Sequence, residues 1–134
     1  MNKQNASNQP IGIIDSGIGG LSIWQEIIKL LPYENTIYLA DQKNFPYGTK
    51  SARTLNKIVS QKVEFLVNCH VKLIVIACNT ATVYTLDNIR KKYKLPIVGT
   101  VPIIKKAAEI SKSGRIGVIS TSSTSRSPYQ KKLI

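Results

Sequence analysis

Two ionisable residues of the chain stand among neighbours that could support chemistry. Cys78 is followed by Asn79 and Thr80, and Asp15 by Ser16 and the glycine-rich run Gly17-Ile18-Gly19-Gly20. A thiolate is both a base and a nucleophile, and a thiol at a helix N-terminus is partly stabilised in that form. Around Asp15 the glycines permit a tight turn and leave backbone N–H groups free to cradle a carboxylate or phosphate at a helix start. Asp41 leads into Phe45-Pro46-Tyr47-Gly48, and Thr121-Ser122-Ser123-Thr124 offers a run of hydroxyls. Each feature also has a plain reading: a small buried hydrophobe for Cys78, a simple strand-to-helix turn for the glycines, a flexible linker for the hydroxyl run.

Several better-known sites are excluded by spacing. Ser22 occupies the third glycine position of a dinucleotide-binding G-x-G-x-x-G, and no acidic residue follows at the required distance. In Gly48-Thr49-Lys50-Ser51 a threonine separates glycine from lysine, so this is not a P-loop. Cys69 and His70 precede the apolar run that Cys78 follows, and nine mostly extended residues span roughly 25–30 Å. Neither a disulfide with Cys78 nor a Cys–His dyad fits that separation. Both residues are expected to be structural or solvent-facing, and the unpaired cysteines suit a reducing compartment.

The elements that must position these groups follow from periodicity. Short β-branched runs at Ile11–Ile14, Thr36–Ala40, Leu73–Ala77, Ile97–Gly99 and Ile116–Ser120 alternate with segments of helical spacing. The helical segments carry Leu21, Trp24, Ile27, Ile28 and Leu31, then Leu55, Val59, Val63 and Leu66, then Leu86, Ile89 and Tyr93. This alternation predicts an α/β fold of βαβ repeats, an open parallel sheet flanked by helices. Such sheets bind ligands in the crevice at the carboxyl ends of their strands. Asp15, Tyr47, Cys78 and Thr121 all lie at or beyond the carboxyl end of a predicted strand, so they should converge at one edge, with Cys69 and His70 at the other.

Composition sets the outer limits. At 134 residues and 43% hydrophobic, the chain can bury one ordinary core. The net charge of +12 raises nucleic acid as a partner. The excess, however, sits in short runs at 91–94, 105–106 and 131–132, without aromatic interleaving, as expected of solvated helix faces. The polar opening over 1–9 reads as a frayed tail without a signal sequence, and no apolar run is long enough to span a bilayer. The expectation is a cytoplasmic protein that binds neither nucleic acid nor membrane.

IDSGIGGLS at 14–22, ADQKNFPYGTKS at 40–51 and ACNTAT at 77–82 resemble, in order and spacing, the three amino-terminal signatures of bacterial glutamate racemases. PIVGTVPIIKKAA at 96–108 and the stretch at 116–124 extend the resemblance over nearly the whole chain, although Ser120 replaces a more usual glycine or alanine. The resemblance implies cofactor-independent, metal-free interconversion of L- and D-glutamate, which supplies D-glutamate for peptidoglycan. It implies Cys78 as one of two acid/base thiols, and Asp15, Ser16, Tyr47, Gly48, Asn79 and Thr80 as contacts of the amino acid. Thr121 and Thr124 match threonines of the family's carboxylate pocket. It also implies two similar α/β domains: here a first over 10–98 and the start of a second over 99–134, with a homodimer allowed. The second thiol, in a Gly-Cys-Thr-His motif, is not in these residues, so this chain is expected to hold half a site and to be inactive alone.

Three rival readings differ in what they require. An aspartate or hydantoin racemase shares the chemistry, and Phe45-Pro46-Tyr47-Gly48 tilts the choice toward glutamate. A non-catalytic module gripping a small carboxylate on the glycine loop would tolerate Cys78→Ser. A nucleotide-dependent oxidoreductase would need the glycine pattern that Ser22 breaks.

Overall fold

The computed structural model describes residues 8–128. Its centre is a four-stranded parallel sheet of β1 (Ile11–Asp15), β2 (Thr36–Ala40), β3 (Leu73–Ile76) and β4 (Ile97–Gly99), in the order β2-β1-β3-β4. Every residue of β1 is buried, as the apolar run of a central strand covered on both faces requires. The register sets the strand ends level: Asp15 pairs with Ala40, Ile14 with Ile76, and Ile76 with Gly99.

Alternation along the strands divides the core in two. Ile11, Ile13, Val75 and Ala77 face α1 (Leu21–Leu30) and its Ile23, Trp24 and Ile27. Ile14, Ile74 and Ile76 belong to the larger core formed with α2 (Ala52–Asn68) and α3 (Asn79–Lys92). From α2, Leu55, Ile58, Val59, Val63 and Leu66 are buried there. Each such side chain contributes roughly 1.5–3 kcal/mol, which outweighs the small helix penalty of its β-branched members. The Ser51 hydroxyl caps α2 by accepting the Thr54 N–H at 3.2 Å. A Cβ on Gly12 would stand 2.9 Å from Leu66 Cδ1, so α2 rests directly on β1.

Cys69 and His70 terminate α2. His70 takes a left-handed conformation (φ 56°), its N–H bonds the Val67 carbonyl at 2.9 Å, and the Val71 N–H reaches the Leu66 carbonyl at 3.4 Å. This pair of reversed bonds is a helix-ending motif. Cys69 packs at the margin of the larger core and His70 is exposed, both before β3 while Cys78 follows it.

At the other edge of the sheet, the Arg90 guanidinium caps β4 by donating to the Ile97 carbonyl from Nε and Nη2, at 2.9 and 2.7 Å. Two short helices follow, α4 (Ile104–Ile110) and α5 (Ser122–Ser125). The expected fifth strand over 116–120 does not form. Val118 and Ile119 are exposed, and no described strand lies alongside to take up the backbone bonds. β-branched residues favour extended backbone, but a strand exists only through its partner. The expected helix start after Ser127, and Lys131 and Lys132 with it, lie largely outside the described residues, as does most of the 1–9 tail.

Candidate active site

The ends of β1, β3 and β4 converge on one cleft of about 530 Å³ whose walls include Asp15, Gly19, Cys78, Asn79, Thr80 and Thr121, while Tyr47 and Gly48, beyond β2, do not line it. Asp15 closes β1, is 5% exposed, and bends back so that Oδ2 accepts the Gly17 N–H at 2.9 Å. That bond fixes the carboxylate at the entry to the glycine turn. Gly20 is packed tightly: a Cβ there would lie 2.8 Å from Asp15 Cβ and 2.9 Å from Ala77 Cβ. Only hydrogen fits.

Cys78 sits between β3 and α3 with extended backbone, as the residue that caps the helix, and is 8% exposed. Its Sγ donates to the Ser16 hydroxyl at 3.8 Å. The helix-start position was expected to favour thiolate, but the balance falls the other way. Burial pushes the thiol up and the Asp15 charge adds to this, outweighing the hydrogen bonds from the Ala81 and Ser16 N–H groups and the Ser16 hydroxyl. Cys78 is thus a buried thiol whose pKa lies above its ordinary value.

Behind it, three hydroxyls interlock. Thr80 Oγ1 lies 3.2 Å from both Thr121 Oγ1 and Thr124 Oγ1, and Thr121 donates to Thr124 at 2.9 Å. Thr121 also caps α5, accepting the Thr124 N–H at 3.3 Å, so the hydroxyl run is a structured part of the cleft and not a linker. Asn79 is exposed on the cleft wall.

Tyr47 and Gly48 approach the site from behind this cluster. Tyr47 is 1% exposed and its hydroxyl donates to Asp41 Oδ2 at 2.7 Å, so it has only backbone to offer a ligand. A Cβ on Gly48 would stand 2.7 Å from Thr121 Cγ2, which places the Tyr47–Thr49 turn against Thr121.

Asp41, which the sequence shows only as an acid after a strand, is the anchor of this turn. It is 3% exposed and accepts Asn44 Nδ2 at 2.9 and 3.0 Å and Lys62 Nζ at 3.2 Å besides the Tyr47 hydroxyl. Burial alone would raise its carboxyl, but the bonds from Tyr47, Asn44 and Lys62 prevail and hold it below the usual carboxylate range. A depressed pKa contributes stability that is complete above the unfolded value, about 3.9, and is lost as pH falls through the folded one. Asp41→Asn should therefore be less stable than the parent by about 1.5–3 kcal/mol near neutrality. The gap should close in acid, below the ordinary carboxylate range. Thermal melts across that range read the difference; a gap independent of pH would contradict this account of Asp41.

Thr100, Val101 and Pro102, which also line the cleft, were not singled out from the sequence. They follow β4, so the strand-end rule that selected Asp15 and Cys78 would have reached them.

A parallel sheet that delivers a buried carboxylate, a buried thiol and clustered hydroxyls to one cleft defines an α/β protein suited to acid–base work on a small polar ligand. The family model for Asp/Glu/Hydantoin racemase matches residues 11–134. The chain belongs to this family. It is 45% identical over 121 residues to the glutamate racemase of Clostridium acetobutylicum, an overlap of 90% of this chain and 47% of that protein. With the glutamate racemase of Clostridium novyi it shares 48% identity over 119 residues, 88% of this chain and 46% of that one. The crystal structure of Escherichia coli glutamate racemase in complex with L-glutamate and the activator UDP-MurNAc-Ala superposes with a TM-score of 0.87 at 38% identity. That match covers 93% of this chain and 48% of the other. The chain spans about half the length of the curated relatives it matches.

Proposed function

We propose that this chain is the amino-terminal half of a glutamate racemase, and that the complete protein interconverts L- and D-glutamate by cofactor-free proton transfer between two thiols, supplying D-glutamate for peptidoglycan in the cytoplasm. Within it, residues 10–98 form the first domain and 99–134 begin a second. The observation that carries this reading is Cys78, a desolvated thiol at a strand end sharing one cleft with Asp15. A Cα proton is weakly acidic, so its removal needs an oriented, strongly basic group in a partly dry site. Raising the thiol's pKa provides that basicity.

In this mechanism, Cys78 is the acid/base group on one face of the amino acid. As thiolate it takes the Cα proton of one enantiomer; as thiol it returns a proton when the other enantiomer is consumed. Ser16 orients Sγ through the contact at 3.8 Å. Asp15, Ser16, Asn79, Thr80 and the backbone of Tyr47 and Gly48 hold the substrate. A proton delivered to the opposite face must come from a second thiol, which the residues of this chain do not supply: its other cysteine, Cys69, lies before β3.

Among the described residues no helix is long and apolar enough to cross a membrane. A homodimer is compatible with this reading. The substrate preference rests on the glutamate racemases among the relatives and on Phe45-Pro46-Tyr47-Gly48. The test compares the complete protein with the 134-residue chain, using glutamate, aspartate and a hydantoin and following optical rotation. Conversion of glutamate alone, by the complete protein alone, is expected. Conversion of aspartate or the hydantoin in its place would move the protein elsewhere in the family. Cys78-dependent turnover by the short chain would overturn the two-thiol mechanism.

A further inference from the structure

Tyr38 lies in the middle of β2, opposite Ile13 and three residues short of Asp41, yet its hydroxyl reaches the turn that follows β1. There it donates to the Gly17 carbonyl at 3.2 Å and meets the Gly20 N–H, whose hydrogen bond favours charge on the oxygen. A Cβ on Gly20 would stand 2.9 Å from this oxygen. The Gly17 residue is therefore held at both ends, its N–H by Asp15 Oδ2 at 2.9 Å and its carbonyl by Tyr38. The ring is braced from the helix side by Trp24, with centroids 6.5 Å apart, and the Trp24 indole N–H is fixed by the Thr36 hydroxyl at 3.0 Å. No titration disturbs this arrangement near neutrality: burial, with the Asp15 and Cys78 charges, pushes the phenol up to about 12, so it remains a donor.

We propose that Tyr38 is a positioning residue whose hydroxyl, by fixing the Gly17–Gly20 turn, keeps the Asp15 carboxylate in its place beside Cys78. This rests on the reading of Asp15 and Cys78 as one reaction face. The Asp15 carboxylate has one described hydrogen bond, to the Gly17 N–H in the turn over 16–20. Without the phenol the turn loses its second tether, and the carboxylate is free to leave the thiol.

The test uses the complete protein and two readouts. Tyr38→Phe keeps the ring and its packing and removes only the oxygen. Turnover should fall about 10- to 100-fold, the usual result of displacing a group in a proton-transfer site by a fraction of its reach. The second readout is the pH dependence of Cys78 alkylation, followed by mass spectrometry of the Cys78 peptide. The ionisable groups that sense this thiol are Asp15 on β1, Tyr38 on β2 and Tyr47 in the turn after β2. Since Asp15 raises the thiol, Tyr38→Phe should move the alkylation midpoint to lower pH. In an Asp15→Asn background the same substitution should add no further shift. Trp24→Phe loosens the brace but spares the hydroxyl; it should lower the melting temperature and leave the midpoint alone. An unchanged midpoint in Tyr38→Phe, an equal shift in Trp24→Phe, or a full further shift in the Asp15→Asn background would overturn the proposal. If the parent racemises no amino acid, the proposed function fails while the alkylation midpoints still decide the role of Tyr38.

Discussion

Cys78→Ser in the complete protein should reduce racemisation by at least about 10²–10⁴-fold, the range associated with a lost general acid or base. The replacement is nearly isosteric and leaves the Ser16 hydroxyl within reach, so folding and glutamate binding should persist. What changes is basicity: a hydroxyl's far higher pKa leaves almost no oxyanion at neutral pH, whereas a buried thiol still reaches its conjugate base. The two-thiol mechanism adds a finer expectation. The opposite thiol can still remove the Cα proton from one enantiomer, so a substrate analogue bearing a leaving group at Cβ should eliminate as one enantiomer only. Circular dichroism checks the fold, calorimetry the binding, and release of the leaving group the half-reaction. Full racemisation by the variant, or equal loss of elimination from both enantiomers with binding intact, would reject the role assigned to Cys78. A binding module would be indifferent to the substitution.

The second large effect is expected at a residue with no side chain. Gly20→Ala places a methyl group 2.8 Å from Asp15 Cβ and 2.9 Å from both Ala77 Cβ and the Tyr38 hydroxyl. The backbone at Gly20 is in the ordinary helical region (φ −70°), so the obstacle is space and not conformation. None of those three neighbours can yield independently, because Asp15 and Ala77 belong to adjacent strand ends and the phenol is tied to Gly17. Overpacking of this kind costs about 1–3 kcal/mol, enough to lower Tm by roughly 5–15 °C in a domain of this size. Because the displaced groups flank Cys78, turnover should fall as well. Gly19→Ala is the internal control. Its methyl would meet nothing nearer than Asp15 Oδ2 at 3.8 Å, an ordinary contact. Equal melting temperatures for the two variants would show that the turn is not packed as described.

These two residues illustrate what the sequence could and could not disclose. The first four strands were legible because a parallel sheet covered on both faces needs unbroken β-branched runs, and strand direction then separated Cys78 from Cys69 and His70 without coordinates. The run at 116–120 carries the same composition but lacks a neighbour, and no local pattern records the absence of a partner. Depth is equally invisible to spacing. The helix-start position of Cys78 suggested an acidic thiol, yet its burial, set by packing between β3, α3 and the glycine turn, decides the sign. Asp41 resembled Asp15 in being an acid after a strand. Its partners Tyr47, Asn44 and Lys62, the last brought in by α2, distinguish the anchor of a turn from a group facing the cleft. Tyr38 read simply as a strand residue, because its bond to Gly17 spans 21 positions.

The triangle of Thr80, Thr121 and Thr124 has a consequence for how the cleft meets charge. Each hydroxyl has one proton and can both give and receive, so a closed circuit of three bonds consumes all three protons. Since Thr121 donates to Thr124, the circuit runs from Thr121 to Thr124, on to Thr80 and back to Thr121. Opening any one link releases a proton toward the cleft for the loss of a neutral hydrogen bond, about 1 kcal/mol. The cluster is thus a reservoir of latent polarity: self-contained when the cleft holds only water, and able to turn a donor outward toward an anion through rotation about a single carbon–oxygen bond.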